Sequence, residues 1–467
     1  GGGMYLIGHP TFSNVIVRAN SAIRQGGGIY CGSGASWSGG NSSNNLIVED
    51  NTARTGGGIY FNSVSDNYEE RTLTNFTVKG NEAILIDGYG GEGGGIYDLG
   101  SQLHLSNVVI DSNMAVYAGG GLFSTNTSNL QMSDAQISRN SAQDGGGIHG
   151  VGNSTINLSN NVDISENSAI RGGGIAGHGS GFYLIMKNGT ITDNAVDTVN
   201  YSSDGGGAIY LFGGPTINLN DVIIDGNSSI RSGGAIKCRA SKMILSNVSI
   251  TNNQAHNPND EWSSYYGGGI YMVVGAQAWL NEVKIDGNYA SYSGGGISSG
   301  FDSQLYINSS AVTNNTSGVA NSNGYGAGIA LNNTTGVLSG VTISNNGFQY
   351  TGSGSGLHCS ESDMPLVNSI VWANGESEDI SISGGNIPVS FSDIQGGEAG
   401  ISGSVEWGFG NIDMDPLFEN PANGNFHLQP SSPAINSGNP DVIYTNSNGS
   451  RRDMGAFGGN GLAANFS

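Results

Sequence analysis

Charge is what this chain has least of: 11% of its 467 residues are Asp, Glu, Lys or Arg, and the 15 basic side chains face 37 acidic ones for a formal net charge of -22. A protein so poor in cations lacks the basic face that nucleic acid or an anionic membrane surface demands. Divalent cations, Ca2+ in particular, and neutral glycans are compatible with this balance. No apolar run is long enough for a transmembrane helix. The seven histidines are scattered without the ligand spacing of a zinc site, and the nonapeptide calcium repeat Gly-Gly-x-Gly-x-Asp is missing. The glycines precede strand-like segments rather than helices, which excludes a phosphate loop or a dinucleotide fingerprint. Proline is scarce until late: seven of the ten lie from Pro365 onward.

What is there instead is a repeat. Ser13-Asn14-Val15-Ile16-Val17-Arg18-Ala19-Asn20, followed by a short linker and Gly26-Gly27-Gly28-Ile29, returns in reworded form throughout most of the chain. Its asparagine recurs as Asn20, Asn51, Asn81, Asn113, Asn140, Asn167, Asn194, Asn227, Asn253, Asn288, Asn315, Asn346 and Asn374, and the residue three before each is always Val or Ile. The mean period is about 29.5 residues, within the range of solenoids. Apolar residues alternate in pairs, as in Leu103, Leu105, Val108 and Ile110, so the segments are short strands joined by tight bends. A third strand begins at Gly-Gly-Gly-Ile. Three strands per coil, each stacked on its equivalent, predict an all-β, right-handed parallel β-helix with three sheets and about 13 coils. At ~4.8 Å per coil the stack would extend roughly 60 Å.

The repeat assigns jobs to particular residues. A column of asparagine amides can bond upward and downward and so satisfy a buried bend. Cys31, Cys238 and Cys359 each follow the coil isoleucine or its equivalent by two positions and point inward. Their coils are roughly 34 Å and 19 Å apart, whereas a disulfide needs Cα atoms within about 7 Å, so three buried free thiols are expected. Tyr5, Tyr30, Tyr60, Tyr97, Phe123, His149, Tyr210 and Tyr271 follow the coil isoleucine directly and by alternation should face outward. Such a ladder could bind glycan or protein, or simply cover the glycine corner.

The pairing of Gly233-Gly234-Ala235-Ile236 with phrases such as Ile224 to Asn227 resembles the tetrapeptide repeats of chlamydial polymorphic outer-membrane proteins, and more broadly the Gly-rich β-helices of secreted and surface-anchored bacterial proteins. The resemblance spans residues 1 to about 375 and implies an extracellular or cell-surface location. Residues 376 to 467 form a second region of terminal coils and an irregular cap. Its motifs, Asp415-Pro416-Leu417-Phe418, Phe426-His427-Leu428, Ser432 to Gly438 and Arg452 to Phe457, resemble the closing segment of secreted β-helix proteins that carry a sorting signal. An association with export or outer-membrane machinery is what that resemblance implies. The chain opens in mid-coil at Gly1, as expected of a processed piece, and Asp and Arg of the closing motifs are expected to pair as ions within the cap.

Insertions at 82 to 92, 195 to 204, 254 to 266 and 316 to 325 all fall between the asparagine and the glycines, so they should emerge along one edge, where solenoids bind. Tyr201, Asp204, His256, Asp260, Glu261, Trp262, Tyr265, Tyr266 and Tyr325 supply rings for sugar faces and carboxylates for hydroxyls. The same rings would also serve to pack long loops. For an enzyme, a polysaccharide lyase or glycoside hydrolase would need clustered carboxylates and a base; Asp225, Lys284 and Asp286 are the best grouping, although alternation alone puts charges at such positions. Taken together, the residues favour an adhesive or structural rod binding glycan or a surface protein through its loop edge, with a β-helix lyase or hydrolase as the alternative.

Overall fold

The structure is a computed structural model that describes residues 1–8, 12–32, 45–62, 71–197, 205–259, 265–318, 323–375, 378–445 and 449–457. It is a parallel β-helix solenoid of about 12 turns. The chain divides into two compact units, Gly1–Ile230 and Arg231–Ser467.

In the first unit, the strands that follow the glycines form one parallel ladder in which Ile29, Ile59, Ile96, Leu122, Ile148, Ile175 and Ile209 stand in register. All seven side chains are fully buried. Each stabilises the coil by about 1.5–3 kcal/mol relative to exposure. Longer strands follow, such as Gln102–Asp111, Asn129–Ser138 and Thr155–Ser165. Each bends where one or two residues take positive φ: Asn107 at 51°, Asp134 at 47°, and Asn160 and Asn161 at 55° and 58°. Asn and Asp tolerate this region better than other side chains, which is why the bend falls on them.

A second positive-φ residue, Ser112, Arg139, Glu166 or Asp193, immediately precedes the repeating asparagine. The asparagine column is continuous from Asn20 to Asn227. Each Nδ2 from Asn20 to Asn194 donates to the next Oδ1, as Asn140 does to Asn167 at 3.0 Å and Asn167 to Asn194 at 2.9 Å. The same Oδ1 also accepts a backbone N–H, and Nδ2 additionally donates to the carbonyl of the Val or Ile one coil earlier, as Asn167 does to Ile137 at 2.8 Å. Every polar group of the buried corner is thereby paired.

The segment after the asparagine, expected to be a plain linker, forms a ladder of its own. Ser21–Gln25, Thr52–Thr55, Glu82–Ala83, Met114–Ala115 and their successors pair in parallel. A coil therefore has a further short side beyond the three strands the alternation predicts. The backbones meet at the glycine corner: a Cβ on Gly146 would lie 2.4 Å from the Ser168 carbonyl oxygen and 2.5 Å from that of Gly173.

The second unit repeats the scheme. Ile236, Ile270, Ile297, Ile329, Leu357, Ile380 and Ile401 form its ladder, and Asn253, Asn288, Asn315, Asn346 and Asn374 its amide column. The column ends where Asn374 N–H donates to Asp379 Oδ1 at 3.1 Å. Beyond it, an antiparallel pair, Phe418–Asn420 with Asn425–Leu428, packs Phe418 and Phe426 with Ile370, Ala434 and Met454. The closing arginines make hydrogen bonds to hydroxyl and backbone groups. Buried Arg452 donates to the Ser309 hydroxyl at 2.7 Å, and Arg451 donates to the carbonyl of Ser437 at 3.0 Å. They tie the cap down by hydrogen bonds to hydroxyl and backbone.

All three cysteines are buried free thiols, as the column positions require. Burial pushes each thiol up to about 12.

Candidate functional site

The position after the coil isoleucine is where the two units differ most. In the first unit it carries rings in all coils but one: Tyr5, Tyr30, Tyr60 and Tyr97 stack face to face at centroid distances of 4.9–5.3 Å, Phe123 and His149 continue the column, and Tyr210 resumes it after Ala176, beside which His178, two residues on, meets His149 edge-on at 4.8 Å. This is not the exposed ladder that simple alternation predicts. Tyr5 is 63% exposed, but Tyr60, Phe123, His149 and Tyr210 are buried. Burial holds the two imidazoles neutral, His149 down at about 3 and His178 at about 4. The column covers the coil corner more than it offers a surface.

In the second unit the same register position reads Tyr271, Ser298, Ala330, His358 and Ser381. Two successive coils with the small Ser298 and Ala330 lack the bulk that rings give this position in most coils of the first unit, and a hollow of about 490 Å³ is lined by them. Its wall comes from the segment just before the glycines, where Tyr266, Ser293 and Tyr325 bridge in parallel. Tyr266 stacks on Tyr271 at 5.5 Å and meets Tyr292 edge-on at 5.2 Å; Tyr292 in turn meets Tyr325 at 5.9 Å, and Tyr325 meets His358 at 4.8 Å. These five rings are each half-buried and brace one another. Asn332, Ser360, Ser381 and Ser383 complete the lining with hydroxyls and an amide. Burial raises the phenols of Tyr266 and Tyr292, and lowers the imidazole of His358 despite nearby Glu378. All of these groups are therefore uncharged at neutral pH.

Of the loop-edge residues picked from the sequence, Tyr266 and Tyr325 come together in this groove. Tyr265 does not: it is buried with Ala255 and Ala290, and Arg231 donates to its hydroxyl at 3.2 Å. His256 packs edge-on against Tyr289. Tyr201, Asp204, Asp260, Glu261 and Trp262 lie outside the described residues. Tyr292, Ser298, Ala330 and His358 were not singled out by composition. Their signal was present as a break in the aromatic column, legible only once the columns are aligned coil by coil.

The candidate catalytic trio has a different character. Lys284 Nζ pairs with Asp286 Oδ2 at 3.0 Å, and Asp286 Oδ1 accepts from Thr313 Oγ1 at 2.7 Å and from Asn314 Nδ2 at 2.6 Å. Both carboxylate oxygens are thus engaged by their own sheet. Asp225 ends the strand Thr216–Asp225 in the first unit. Among the described residues no group of three or more His, Cys, Asp or Glu is placed to hold a metal ion, and no helix is long and apolar enough to cross a membrane. A larger hollow of about 730 Å³ lies where the second asparagine column ends, between Asn346, Asn374 and Gln395, and has no aromatic wall.

No family model matches the chain, and no curated protein matches it. Among solved structures, the crystal structure of pectate lyase Pel9A is similar over 94% of this chain and 89% of its own, at 14% identity and a TM-score of 0.29. A likeness this distant says nothing of activity.

Proposed function

We propose that this chain is a carbohydrate-binding β-solenoid that works outside the cell, holding a glycan in the groove over Ser298 and Ala330 without turning it over. The observation that carries the reading is the union of a wall of pre-packed tyrosines with a floor of small and hydroxylated residues. Rings stack on the C–H faces of a sugar, while serine hydroxyls and the Asn332 amide match its hydroxyls. Because the tyrosines are already fixed against one another, little side-chain entropy is lost on binding. The low charge density and the abundance of Asn and Ser fit an extracellular setting.

Retention on immobilised polysaccharides, with and without Ca2+, tests the reading. The wild-type chain should be retarded with no release of reducing or unsaturated ends, and Tyr325→Ala should run free. Product formation would establish the lyase or hydrolase alternative instead, and Asp286→Ala would then show whether the Lys284–Asp286 pair takes part. Protease treatment of intact cells should degrade the chain if it is displayed outside.

A further inference from the structure

The glycan-binding reading leaves open the chemical class of the sugar, and the lining of the groove restricts it. Among the described residues, no Lys, Arg, Asp or Glu side chain lines the hollow. In register, the column runs from Tyr271 through Ser298, Ala330 and His358 to Ser381. Lys237 precedes Tyr271 in this column, is 4% exposed, and has its Nζ 5.5 Å from the centroid of the Tyr271 ring. Tyr271 therefore stands between that ammonium and the floor. A negative charge stands beside the lining as well, since Ser353 Oγ donates to Glu378 Oε1 at 2.8 Å.

We infer that the groove takes an uncharged oligosaccharide, lying along the solenoid axis over Ser298, Ala330 and Ser381, and rejects uronate and sulfated chains. This rests on the glycan-binding reading above. Three coil spacings of ~4.8 Å separate Ser298 from Ser381, a floor of roughly 14 Å that accommodates a short oligosaccharide. A carboxylate brought into such a groove would lose water and find no cation among the described lining residues in return, a penalty that unpaired buried charge does not recover. The net charge of -22 adds a long-range repulsion of the same sign. Uncharged hydroxyls meet neither cost.

Isothermal titration of the full chain separates the classes, using neutral glucan, mannan and xylan oligosaccharides, oligogalacturonates, and cationic chitosan oligomers, each at low salt and at high salt. The expected result is binding of a neutral oligosaccharide with an affinity that salt leaves unchanged within about twofold, since no charge pair is screened. Tyr325→Ala should weaken it by roughly tenfold or more, the effect of losing an anchoring ring. Ala330→Tyr restores the ring found at this register position in the first unit, and should abolish binding by filling the floor; circular dichroism and the melting temperature check that each variant is folded. Salt-sensitive binding of oligogalacturonate, or binding of chitosan alone, overturns the inference while leaving a glycan-binding groove in place. Neutral binding that neither variant alters also overturns it. If no carbohydrate of any charge binds, the glycan-binding reading itself fails.

Discussion

Deleting one amide from the asparagine column should cost more than any surface change of the same size. Asn167 is fully buried, and its Oδ1 accepts from the Asn140 backbone N–H at 2.9 Å and from Asn140 Nδ2 at 3.0 Å. Asn167→Ala leaves both donors without an acceptor, although Asn140 Nδ2 keeps its second bond to the Ile110 carbonyl at 2.9 Å. A stranded buried donor costs about 1–3 kcal/mol, so the pair amounts to about 2–6 kcal/mol. Asn157→Ala, at a half-buried position in the same coil, is the control and should stay within about 0.5 kcal/mol. Solenoids need not unfold in one step, so urea midpoints should be read together with hydrogen exchange at the Asn140 amide, which reports the corner directly. The substitution should speed that exchange selectively. A loss under about 1 kcal/mol with the Asn140 amide still protected would refute the view that the column satisfies the corner.

The remaining expectations use other parts of the fold. The three thiols, pushed up to about 12 by burial, should resist alkylation at pH 8 in the native chain and react fully in denaturant; native labelling at any of them would contradict the packed interior. Gly146→Ala should destabilise the chain by several kcal/mol, on the order of an overpacked core, because its Cβ would meet backbone carbonyl oxygens rather than a yielding side chain. His149, held down at about 3 chiefly by burial and next by His178, favours the neutral ring in the folded state. Its contribution is present above the unfolded value near 6.5 and is lost as pH falls toward the folded one, so His149→Phe should lessen the drop in melting temperature between pH 6.5 and 4. Asp98, pushed up to about 6 by burial, has the opposite sign, and Asp98→Asn should steepen that drop; equal slopes in all three proteins would remove both assignments.

The coil was legible because its determinants are local and repeated. A Val or Ile, two residues, an asparagine and a glycine run recur with a fixed phase, and each has one physical job that does not depend on which coil it occupies. The fate of the cysteines followed from the same phase. The extra ladder after the asparagine was not legible: Glu82–Ala83 or Met114–Ala115 is a two-residue strand whose alternation is too short to register, and it exists because its stacked neighbours supply partners. The burial of Tyr60 and His149 was missed for a related reason, since alternation says which side of a strand a residue faces and nothing about what stacks on that side. Arg71 shows the limit most plainly. Its guanidinium is buried, donating to Ser101 Oγ and to the Gly32 carbonyl, each at 3.1 Å, and lies over the Phe61 ring, a placement no pattern of apolar residues would suggest.

A repeat of this kind also constrains where a site can form. Each coil must present the same inward isoleucine, amide and glycine corner to the next, so those positions cannot be spared for recognition. The outward position after the isoleucine carries no such obligation: rings there stack upon one another, but a serine or alanine leaves every ladder hydrogen bond intact. Two adjacent small members, Ser298 and Ala330, therefore leave room for a hollow without interrupting the strands Ile297–Thr313 and Ile329–Ser344 that floor it. The tyrosines of the wall come from the other unconstrained place, the segment before the glycines whose length already varies from coil to coil. A groove bounded by the two most permissive positions of the repeat can change its lining residue by residue, at a cost confined to local packing, while the solenoid beneath it remains the same.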